Sequence, residues 1–505
     1  MKKITRGPNG GTRPPDGFLS ADIGPTRPEA GFHLGSRHGF EFVFLAAAFL
    51  VALCSCKTTG SRDSLQNAVA VPTAWSQNVT RLGPLDLAAL STWWKRFNDP
   101  VLDELIAGAL RASPDLSSAL SRVAEYRARR GVERSGLFPS LDANVSGGRT
   151  RTTSRDPNFT TTNESYAASL DASWQVDLFG RQRQALAAAS ADLAQTEEAY
   201  YGAQVSLAAD VASAYVTLRS AEAQLAVVRH SLGTRSETVQ LTQWREQAGT
   251  GDALDTQQSL ATLELARASI PALQLTINRT RNQLALLCGR SPGSIDPLLD
   301  PPHDVPVAPP DFAIGIPAEM LRQRPDVRAA ERGLEAAFAR AEAARRQRLP
   351  SLTLSGSIGV EALTAGRLFN PASTVVNLLG GLTAPIFNAG RIGQTITIQR
   401  ELEKQSLNTY ASTVLVALGE VENALVAVQR NTERLDILTR ATAAAREAST
   451  LAALQYQAGQ VDLLISLDAQ RTLLDLEQQT VTTAAGRATA YVQLYRALGG
   501  GWTTL

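Results

Sequence analysis

Histidine is scarce in this chain, and the residue patterns that support catalysis are missing. Four histidines occur among 505 residues, and two of them, His33 and His38, lie near the start. His230 falls on the surface of a predicted helix and His303 in a proline-rich stretch, so neither has metal-ligand spacing. No phosphate-binding glycine-rich loop or nucleophile elbow is found. We therefore predict that the protein is not an enzyme and has no catalytic residue, no metal and no cofactor.

An excess of charge of either sign is also lacking. Lysine and arginine number 49, and aspartate and glutamate 48, which gives a formal net charge of +1. Binding to nucleic acid usually requires a clear basic excess or a basic patch. The composition therefore favours no nucleic-acid partner.

The apolar stretch at residues 40–52, FEFVFLAAAFLVA, is too short to cross a bilayer as a helix. A spanning helix needs about 20 residues, whereas a short apolar run behind a basic leader is typical of a secretory signal. The motif LCSC follows and resembles the lipobox of bacterial lipoproteins. We therefore predict removal of residues 1–55 and lipid attachment to Cys56. A cleaved signal without lipid is the alternative, because Cys54 is unusual within a lipobox.

Cysteine is rare as well. After cleavage at Cys56, Cys288 is the only other cysteine, so no internal disulfide can form while Cys56 is acylated. Cys288 lies in the apolar run LALLC, which favours a small core residue over a reactive thiol. The folded protein must therefore be held together by packing.

What the chain does contain is an internal repeat. Five landmarks recur in the same order at an offset of 210 or 211 residues, which predicts two copies of one structural unit. The matched landmarks are SPDL at 113 and RPDV at 324, PSL at 139 and 350, GR at 180 and 390, QAG at 247 and 457, and LCG at 287 with LGG at 498.

Each copy has the same predicted order of elements: a helix, two strands and a long helical hairpin. The first helices begin at Pro114 and Pro325. No proline occurs from Arg181 to Gln247, and apolar residues recur there every seven positions, which indicates coiled-coil-like packing. A helix of roughly 65 residues would be about 100 Å long. The heptad residues are Val211, Leu218, Leu225, Leu232 and Val239, and in the second copy Val414, Val421, Val428 and Leu435.

Glycines mark the tips of both hairpins. Gly249 and Gly459 interrupt the helical pattern, and glycine allows the left-handed turn that reverses the chain. The return helices are expected to end at Gly289 and Gly499, with a kink or break at Pro271. The predicted segments are a leader (1–55), an N-terminal anchor and equatorial segment (56–112), a first repeat (113–289), a linker (290–317), a second repeat (318–500) and a tail (501–505).

Four segments alternate between apolar and small polar residues, as in strands with one face against an apolar medium and the other in contact with water. They begin near Leu141, Tyr166, Leu352 and Val376, and the last and weakest runs to Ile386. Such segments suit a membrane barrel with a water-filled lumen, and equally the half-buried sheet of a soluble protein. The polar segment 149–165 is predicted to be a loop that faces the outside medium.

Four strands cannot close a barrel, because the smallest membrane barrels have about eight strands and lipid does not tolerate open edges. The chain must then pool its strands with copies of itself. Three copies would give 12 strands, four per chain, with a ring of long helices below them.

Several stretches, taken together, resemble the TolC-like outer-membrane efflux proteins, in particular the lipoprotein branch often called the NodT family. The resemblance implies a mixed membrane protein, a homotrimer with a 12-stranded transmembrane β-barrel, four strands per chain, in the outer membrane and a long α-helical barrel in the periplasm. Its far end would meet a periplasmic adaptor protein and an inner-membrane pump of RND type, and Cys56 would anchor it in outer-membrane lipid. The implied function is a passive exit duct for drugs or other small molecules in a tripartite efflux system. The matching stretches are WWKRFNDPVLDELIAGAL from Trp93, WQVDLFGR from Trp174, IPALQ, NQLALLCG, RQRPDVRAAE from Arg322 and YQAGQVDLLISLDAQ from Tyr456.

By the same resemblance, the hairpin tips carry the aperture of the channel. Asp255 and Asp468 match positions where acidic residues ring the closed aperture, and Tyr456 matches an aromatic residue that helps latch it. Val461 stands where some relatives have a latching arginine. Threefold symmetry would bring the carboxylates to one axis, as a constriction that attracts cations. Further candidates are Asp252 and Asp462, and the alternative for these carboxylates is simple solvation at the tips.

Two other functions stay open at this point. The duct could serve protein secretion, because substrate choice in such systems is expected to lie with the inner-membrane partner. The chain could also be a periplasmic coiled-coil scaffold or adaptor. Adaptors usually have one helical hairpin beside small β domains, whereas this chain has two hairpins, each preceded by a strand pair.

Overall fold

The computed structural model describes residues 72, 74–75, 87–153, 160–301, 303–307 and 321–504. All of them belong to one compact region of the chain, Ser61–Leu505. The predicted leader and the lipobox with Cys56 lie outside the described residues, as do residues 308–320, which include most of the second half of the predicted linker.

Three short elements precede the first repeat: helix α1 (Leu87–Ser91), a 3-10 turn (Trp93–Phe97) and helix α2 (Pro100–Ala112). Asp99 caps α2, because its carboxylate accepts hydrogen bonds from the backbone N–H groups of Val101 at 3.0 Å and Leu102 at 3.2 Å. Trp93 is fully buried and stacks on Tyr495 near the other end of the chain, with ring centroids 5.0 Å apart.

The rest of the described chain consists of two units with the same order of elements. Each has a helix of 22 residues, two strands, a helix of 67 residues and a helix of 35 residues. The first unit comprises α3 (Pro114–Ser135), β1 (Ser140–Thr153), β2 (Thr160–Val176), α4 (Arg181–Gln247) and α5 (Ala253–Leu287), and a one-turn helix, α6 (Asp296–Leu299), follows it. The second comprises α7 (Pro325–Arg346), β3 (Ser351–Ala362), β4 (Thr374–Thr383), α8 (Arg391–Gln457) and α9 (Leu463–Ala497).

The helices α4 and α8 are long because no residue in them stops a helix before the tip glycines. Each begins after a glycine in the left-handed conformation, Gly180 at φ 76° and Gly390 at φ 84°. With a rise of 1.5 Å per residue, each spans about 100 Å, as predicted. Of the heptad residues, Val211, Leu218, Leu225, Val239, Val414 and Val421 are buried, and Leu232, Val428 and Leu435 are partly buried.

The return helices α5 and α9 end as predicted, just before the left-handed glycines Gly289 and Gly499. The expected break at Pro271 does not occur, because α5 continues through this proline without interruption. A proline inside a helix costs about 3 kcal/mol. Packing against α4 offsets that cost, since Leu263 and Ile277 are buried on either side of Pro271.

The main core lies where α2, α4, α5 and α9 meet, roughly midway along the long helices. The phenol of Tyr215 donates to the carboxylate of Asp99 at 2.7 Å, which ties the N-terminal segment to α4. Arg219, fully buried, donates from Nη1 to the carbonyl of Leu299 at 3.1 Å. The described part of the predicted linker is thus packed onto the first hairpin. Cys288 is buried in the same core, which confirms the prediction that it is a small core residue.

The strand pairs of both units join in one antiparallel sheet of order β1-β2-β3-β4. Leu170 of β2 faces Ile358 of β3, so the second strand of the first unit pairs with the first strand of the second unit. The sheet stands at the N-terminal ends of α4 and α8, and the hairpin tips lie at the opposite ends of these helices.

Three strand boundaries differ from the prediction. Residues 149–153 and 160–165, expected in a loop, continue β1 and β2, with Arg149 opposite Glu164. Threonine is β-branched and favours strands, so this threonine-rich polar run can still pair. β4 ends at Thr383 instead of Ile386, because Pro385 cannot donate a hydrogen bond to a strand ladder.

Candidate channel wall and aperture

One face of the sheet is apolar and exposed. Residues paired across neighbouring strands point to the same face of a sheet. By this register, Leu141, Leu170 and Ile358 all lie on the apolar face. Val145 is 80% exposed and Leu378 87% exposed. A contiguous apolar patch of this kind is rare on a soluble monomer and marks a contact with lipid or protein.

The opposite face of the sheet is mostly polar, with Val375 and Leu379 of β4 as exceptions. Asp142 and Asp171 lie opposite each other there, and the hydroxyl of Ser169 donates to the Asp171 carboxylate at 2.9 Å. Across β3 and β4, the side-chain amide of Asn377 donates to the hydroxyl of Ser357 at 3.3 Å. These groups are suited to water, so the sheet has one face for an apolar medium and one for an aqueous medium.

The apolar face has a defined height. On β2 its apolar residues run from Tyr166 to Val176, which corresponds to about 25 Å along the membrane normal for a strand tilted by roughly 40°. Immediately above Tyr166 the same face becomes charged, where Arg149 and Glu164 form an ion pair at 3.6 Å. An apolar band of that height with a charged rim matches the hydrocarbon core of an outer membrane.

The outer edges of β1 and β4 have no partner strand within the described sheet. Unpaired N–H and C=O groups are not tolerated in lipid, where each costs several kcal/mol. If the apolar face contacts lipid, both edges must therefore pair with strands of other chains.

The two hairpin tips turn at glycine, as predicted. Gly249 and Gly459 have φ angles of 69° and 71°, a left-handed conformation that strains any residue with a Cβ atom. A Cβ atom at either position would meet open space within the chain, so the backbone angle rather than crowding within the chain favours glycine there.

Asp252 and Asp462 occupy the N-cap positions of α5 and α9. The carboxylate of Asp252 accepts a hydrogen bond from the backbone N–H of Leu254 at 3.2 Å, a helix-capping role that its position in the sequence did not reveal. Asp462 is exposed, and its side chain makes no such capping bond. Of the two, Asp462 is the more available to face a pore.

Asp255 and Asp468 lie in the first and second turns of the same helices. Asp255 is partly buried at the N-terminal end of α5, where the helix dipole favours a negative charge. Asp468 is exposed and forms an ion pair with Arg471 at 2.6 Å. A basic partner next to the candidate acidic ring was not predicted.

Tyr456 joins the two tips. It is buried with Leu463 and Leu467, and Leu241 and Val461 pack against this cluster. The guanidinium group of Arg245, on the first hairpin, lies over the Tyr456 ring and donates to the carbonyls of Tyr456 and Gln457, both at 3.0 Å. Val461 therefore serves as apolar packing, and an arginine from the other hairpin makes the contact to Tyr456.

Sequence reasoning missed Arg245. Its partner lies 211 residues away, and local spacing gives no sign of such a contact. The one available signal was its position four residues before Gly249, at the tip of the first hairpin.

Among the residues that the structure describes, no group of three or more His, Cys, Asp or Glu side chains could hold a metal ion. His230 and His303 are both exposed and far apart in the chain. The described residues thus place a two-faced sheet at one end of the long helices and a group of carboxylates at the hairpin tips.

A sheet with an exposed apolar face, continued by helices about 100 Å long, is typical of the class of outer-membrane channels. The family model described as outer membrane efflux protein matches residues 105–290 and again residues 316–500. The chain belongs to this outer membrane efflux protein family, whose members are channels rather than enzymes.

The named relatives come from efflux and export systems. The chain is 30% identical over 468 residues to the pyoverdine export outer membrane protein OpmQ of Pseudomonas aeruginosa, covering 91% of this chain and 96% of that protein. It is 32% identical over 418 residues to the toluene efflux pump outer membrane protein TtgF of Pseudomonas putida, covering 82% and 86%. The solved outer-membrane channel OprN matches with a TM-score of 0.78 at 31% identity, over 86% of this chain and 99% of that one.

Proposed function

We propose that the chain is the outer-membrane duct of a tripartite efflux system, through which small molecules leave the cell passively. The observation that carries this proposal is the exposed apolar face of the sheet, which stands at one end of helices about 100 Å long. The sheet suits the outer membrane and the helices suit the periplasm. A periplasmic scaffold or adaptor would have no use for an apolar sheet face of membrane height.

The working form is a homotrimer with a 12-stranded barrel. Two features support it: the open edges of β1 and β4, and the exposed apolar side chains along α8, such as Leu415, Val416 and Ile437. A helix of 67 residues is far longer than a bilayer requires, so these side chains are assigned to a neighbouring copy. The matching helix lengths of the two units support an internal duplication, with repeats at 113–289 and 318–500.

The hairpin tips form the aperture. Asp255 and Asp468, with Asp252 and Asp462 beside them, surround the threefold axis, and Tyr456 contributes to the contact that keeps the tips together. Asp252 contributes less, because its carboxylate is engaged as a helix cap. Gly249 and Gly459 turn the chain at the narrow end.

The partners of the duct are a periplasmic adaptor and an inner-membrane pump of RND type, and lipid on Cys56 adds to the attachment in the outer membrane. The names of OpmQ and TtgF, a pyoverdine export protein and a toluene efflux protein, support export of small organic molecules. They favour efflux over the alternative function, a duct for protein secretion.

Planar-bilayer recordings of the detergent-extracted protein test the proposal. Small cation-selective conductance steps are expected from the parent protein. Larger steps or reduced cation selectivity are expected from Asp468→Ala and Asp255→Ala, and no change from Asp436→Ala, an exposed carboxylate on α8 away from the tip. Absence of conductance from folded trimers of every variant would contradict the channel.

A further inference from the structure

A cavity of about 370 Å³ lies at the base of the sheet, where β2, β3 and β4 meet the helices α4, α7 and α8. One wall contains Gln175, Ser351 and Thr383, which lie on the mostly polar face of the sheet. In the proposed channel this face contacts water, so the cavity opens toward the interior of the duct. Its volume falls within the range of about 300–1,000 Å³ that is usual for ligand pockets.

Three arginines line this cavity. Arg181 begins α4, Arg346 ends α7 and Arg391 begins α8. Arg346 donates from Nη1 to the carbonyl of Phe179 at 3.0 Å and to that of Gly180 at 2.9 Å, which holds its side chain in place. The side chains of the other two arginines are exposed. Three positive charges from three helices therefore converge on one cavity.

These charges are not balanced by acids within the described part of the chain. Other arginines nearby do have acidic partners: Arg183 pairs with Asp177 at 3.2 Å, and Arg340 pairs with Asp192. No described carboxylate forms such an ion pair with the three arginines of the cavity. Asp177 lines the cavity too, but its carboxylate already accepts three hydrogen bonds, one from Gln182 and two from Arg183. The cavity thus has an excess of positive charge.

Much of the remaining wall is apolar. Leu178 is 50% exposed and Leu349 42% exposed, and Pro350 and Pro385 lie beside them. A guanidinium group forms paired hydrogen bonds with the oxygens of a carboxylate or phosphate, and an apolar wall gains free energy when an apolar group covers it. A molecule that carries both kinds of group matches this wall better than a bare anion or a neutral apolar compound.

We propose that the cavity binds small organic anions with an apolar body, as a site where molecules pause on their way through the duct. The inference rests on the proposed function and names a substrate class for it. The carboxylates of the hairpin tips lie at the opposite ends of α4 and α8. The duct therefore has a negative group of side chains at one end of its long helices and a positive group at the other.

Binding of two matched probes tests the inference. Naphthalene carboxylate has an apolar ring and one negative charge, and naphthalene carboxamide has nearly the same shape without the charge. Calorimetric titration of the protein in nanodiscs of zwitterionic lipid should give a dissociation constant for the carboxylate at least about tenfold lower than for the carboxamide. Inorganic phosphate, an anion without an apolar body, should bind more weakly than the carboxylate.

Arginine variants locate the site. Arg181→Gln and Arg391→Gln should each weaken binding of the carboxylate about tenfold and leave binding of the carboxamide unchanged. Both side chains are exposed, so these variants should fold normally. Arg181→Lys and Arg391→Lys keep the charge and should retain most of the affinity. Arg400→Gln, which removes an exposed arginine of α8 outside the cavity, is the control.

The outcomes separate the inference from the proposed function. Equal binding of the two naphthalene probes, or equal effects of Arg391→Gln and Arg400→Gln, would overturn the anion site, and so would loss of binding when anionic phospholipid is added to the nanodiscs, because the occupant would then be a lipid. Phosphate that binds as tightly as the carboxylate would overturn the role of the apolar wall. Any of these results with cation-selective conductance intact would leave the duct in place. The expected binding by a protein that conducts no ions would support the site and contradict the duct.

Discussion

The guanidinium carbon of Arg245 lies 4.5 Å from the centroid of the Tyr456 ring, and one arginine joins the two hairpin tips. The same guanidinium group donates to two carbonyls of the last turn of α8, where backbone oxygens have no helical partner. Its positive charge also suits the negative end of that helix dipole. The contact therefore combines an aromatic, a hydrogen-bonding and a dipolar interaction at the hairpin tips.

Replacing Arg245 with alanine should loosen the tips. A cation–π contact and two hydrogen bonds together contribute about 2 kcal/mol, which would shift a closed-to-open equilibrium roughly 30-fold. Single-channel recordings should show a larger open fraction for Arg245→Ala. Arg229→Ala, which removes an exposed arginine from the same helix, is the control. Equal open fractions in both variants would show that Arg245 does not hold the tips.

Arg471 should moderate the charge of the proposed acidic ring. It pairs with Asp468 at 2.6 Å on an exposed helix surface, where such a pair contributes about 1 kcal/mol or less to stability. Arg471→Ala should therefore leave trimer stability unchanged and raise the permeability ratio of cations to anions severalfold. The double variant with Asp468→Ala should lose that gain. If the double variant keeps it, the cation selectivity arises elsewhere.

The two faces of β4 should respond oppositely to the same substitution. Leu378 lies on the apolar face and Asn377 on the polar face. Arginine in place of a lipid-facing residue costs about 2–4 kcal/mol near the middle of the membrane. Leu378→Arg should reduce the yield of heat-resistant trimers in membrane fractions, whereas Asn377→Arg should retain the yield and lower cation selectivity. The reverse result would exchange the lipid and water faces of the sheet.

Asp177, just below the sheet, should make the junction with α4 sensitive to acid. Burial raises the pKa of its carboxyl, but hydrogen bonds from the backbone N–H groups of Arg183 and Gln182 and from the Arg183 side chain outweigh burial and lower that pKa. A lowered pKa contributes stability above the ordinary value of 3.8 that is lost as the pH falls through the folded value.

Asp177→Asn should therefore lower the dissociation temperature of trimers at pH 7 and at pH 5, and the difference from the parent should shrink toward pH 3. Asp171→Asn, on the polar face of β2, is the matched control. A difference that stays constant over this pH range would mean that the Asp177 charge does not stabilise the junction.

The regular elements could largely be predicted from the sequence, because their signals are local. Heptad spacing and the glycines at 249 and 459 predict the two long helices and their tips, and the 210-residue offset predicts that both units share one order. The ends of β1 and β2 could not be predicted, since a threonine-rich polar run resembles a loop until its partner strand is known. The continuity of α5 through Pro271 could not be predicted for a related reason, because packing against α4 compensates for a poor helix former.

The finer features of the candidate aperture depend on contacts between distant residues. Asp252 and Asp468 were identified as tip carboxylates from spacing, but the capping bond of the first and the ion pair of the second follow from side-chain directions. Arg245 was missed because its partner belongs to the other hairpin. Spacing predicts which residues gather at one end of the molecule, and only the fold shows which of them bind one another.

The stacking of Trp93 on Tyr495 has a consequence for the order of assembly. The backbone N–H of Gly501 also donates to the carbonyl of Leu90 at 3.1 Å, so both ends of the described chain meet at one level. Contacts between such distant residues form late. The N-terminal helices are therefore exported before the C-terminal helix that packs on them, and they stay exposed until that helix arrives. A chain truncated before Tyr491 should therefore leave the segment around Trp93 open to proteases.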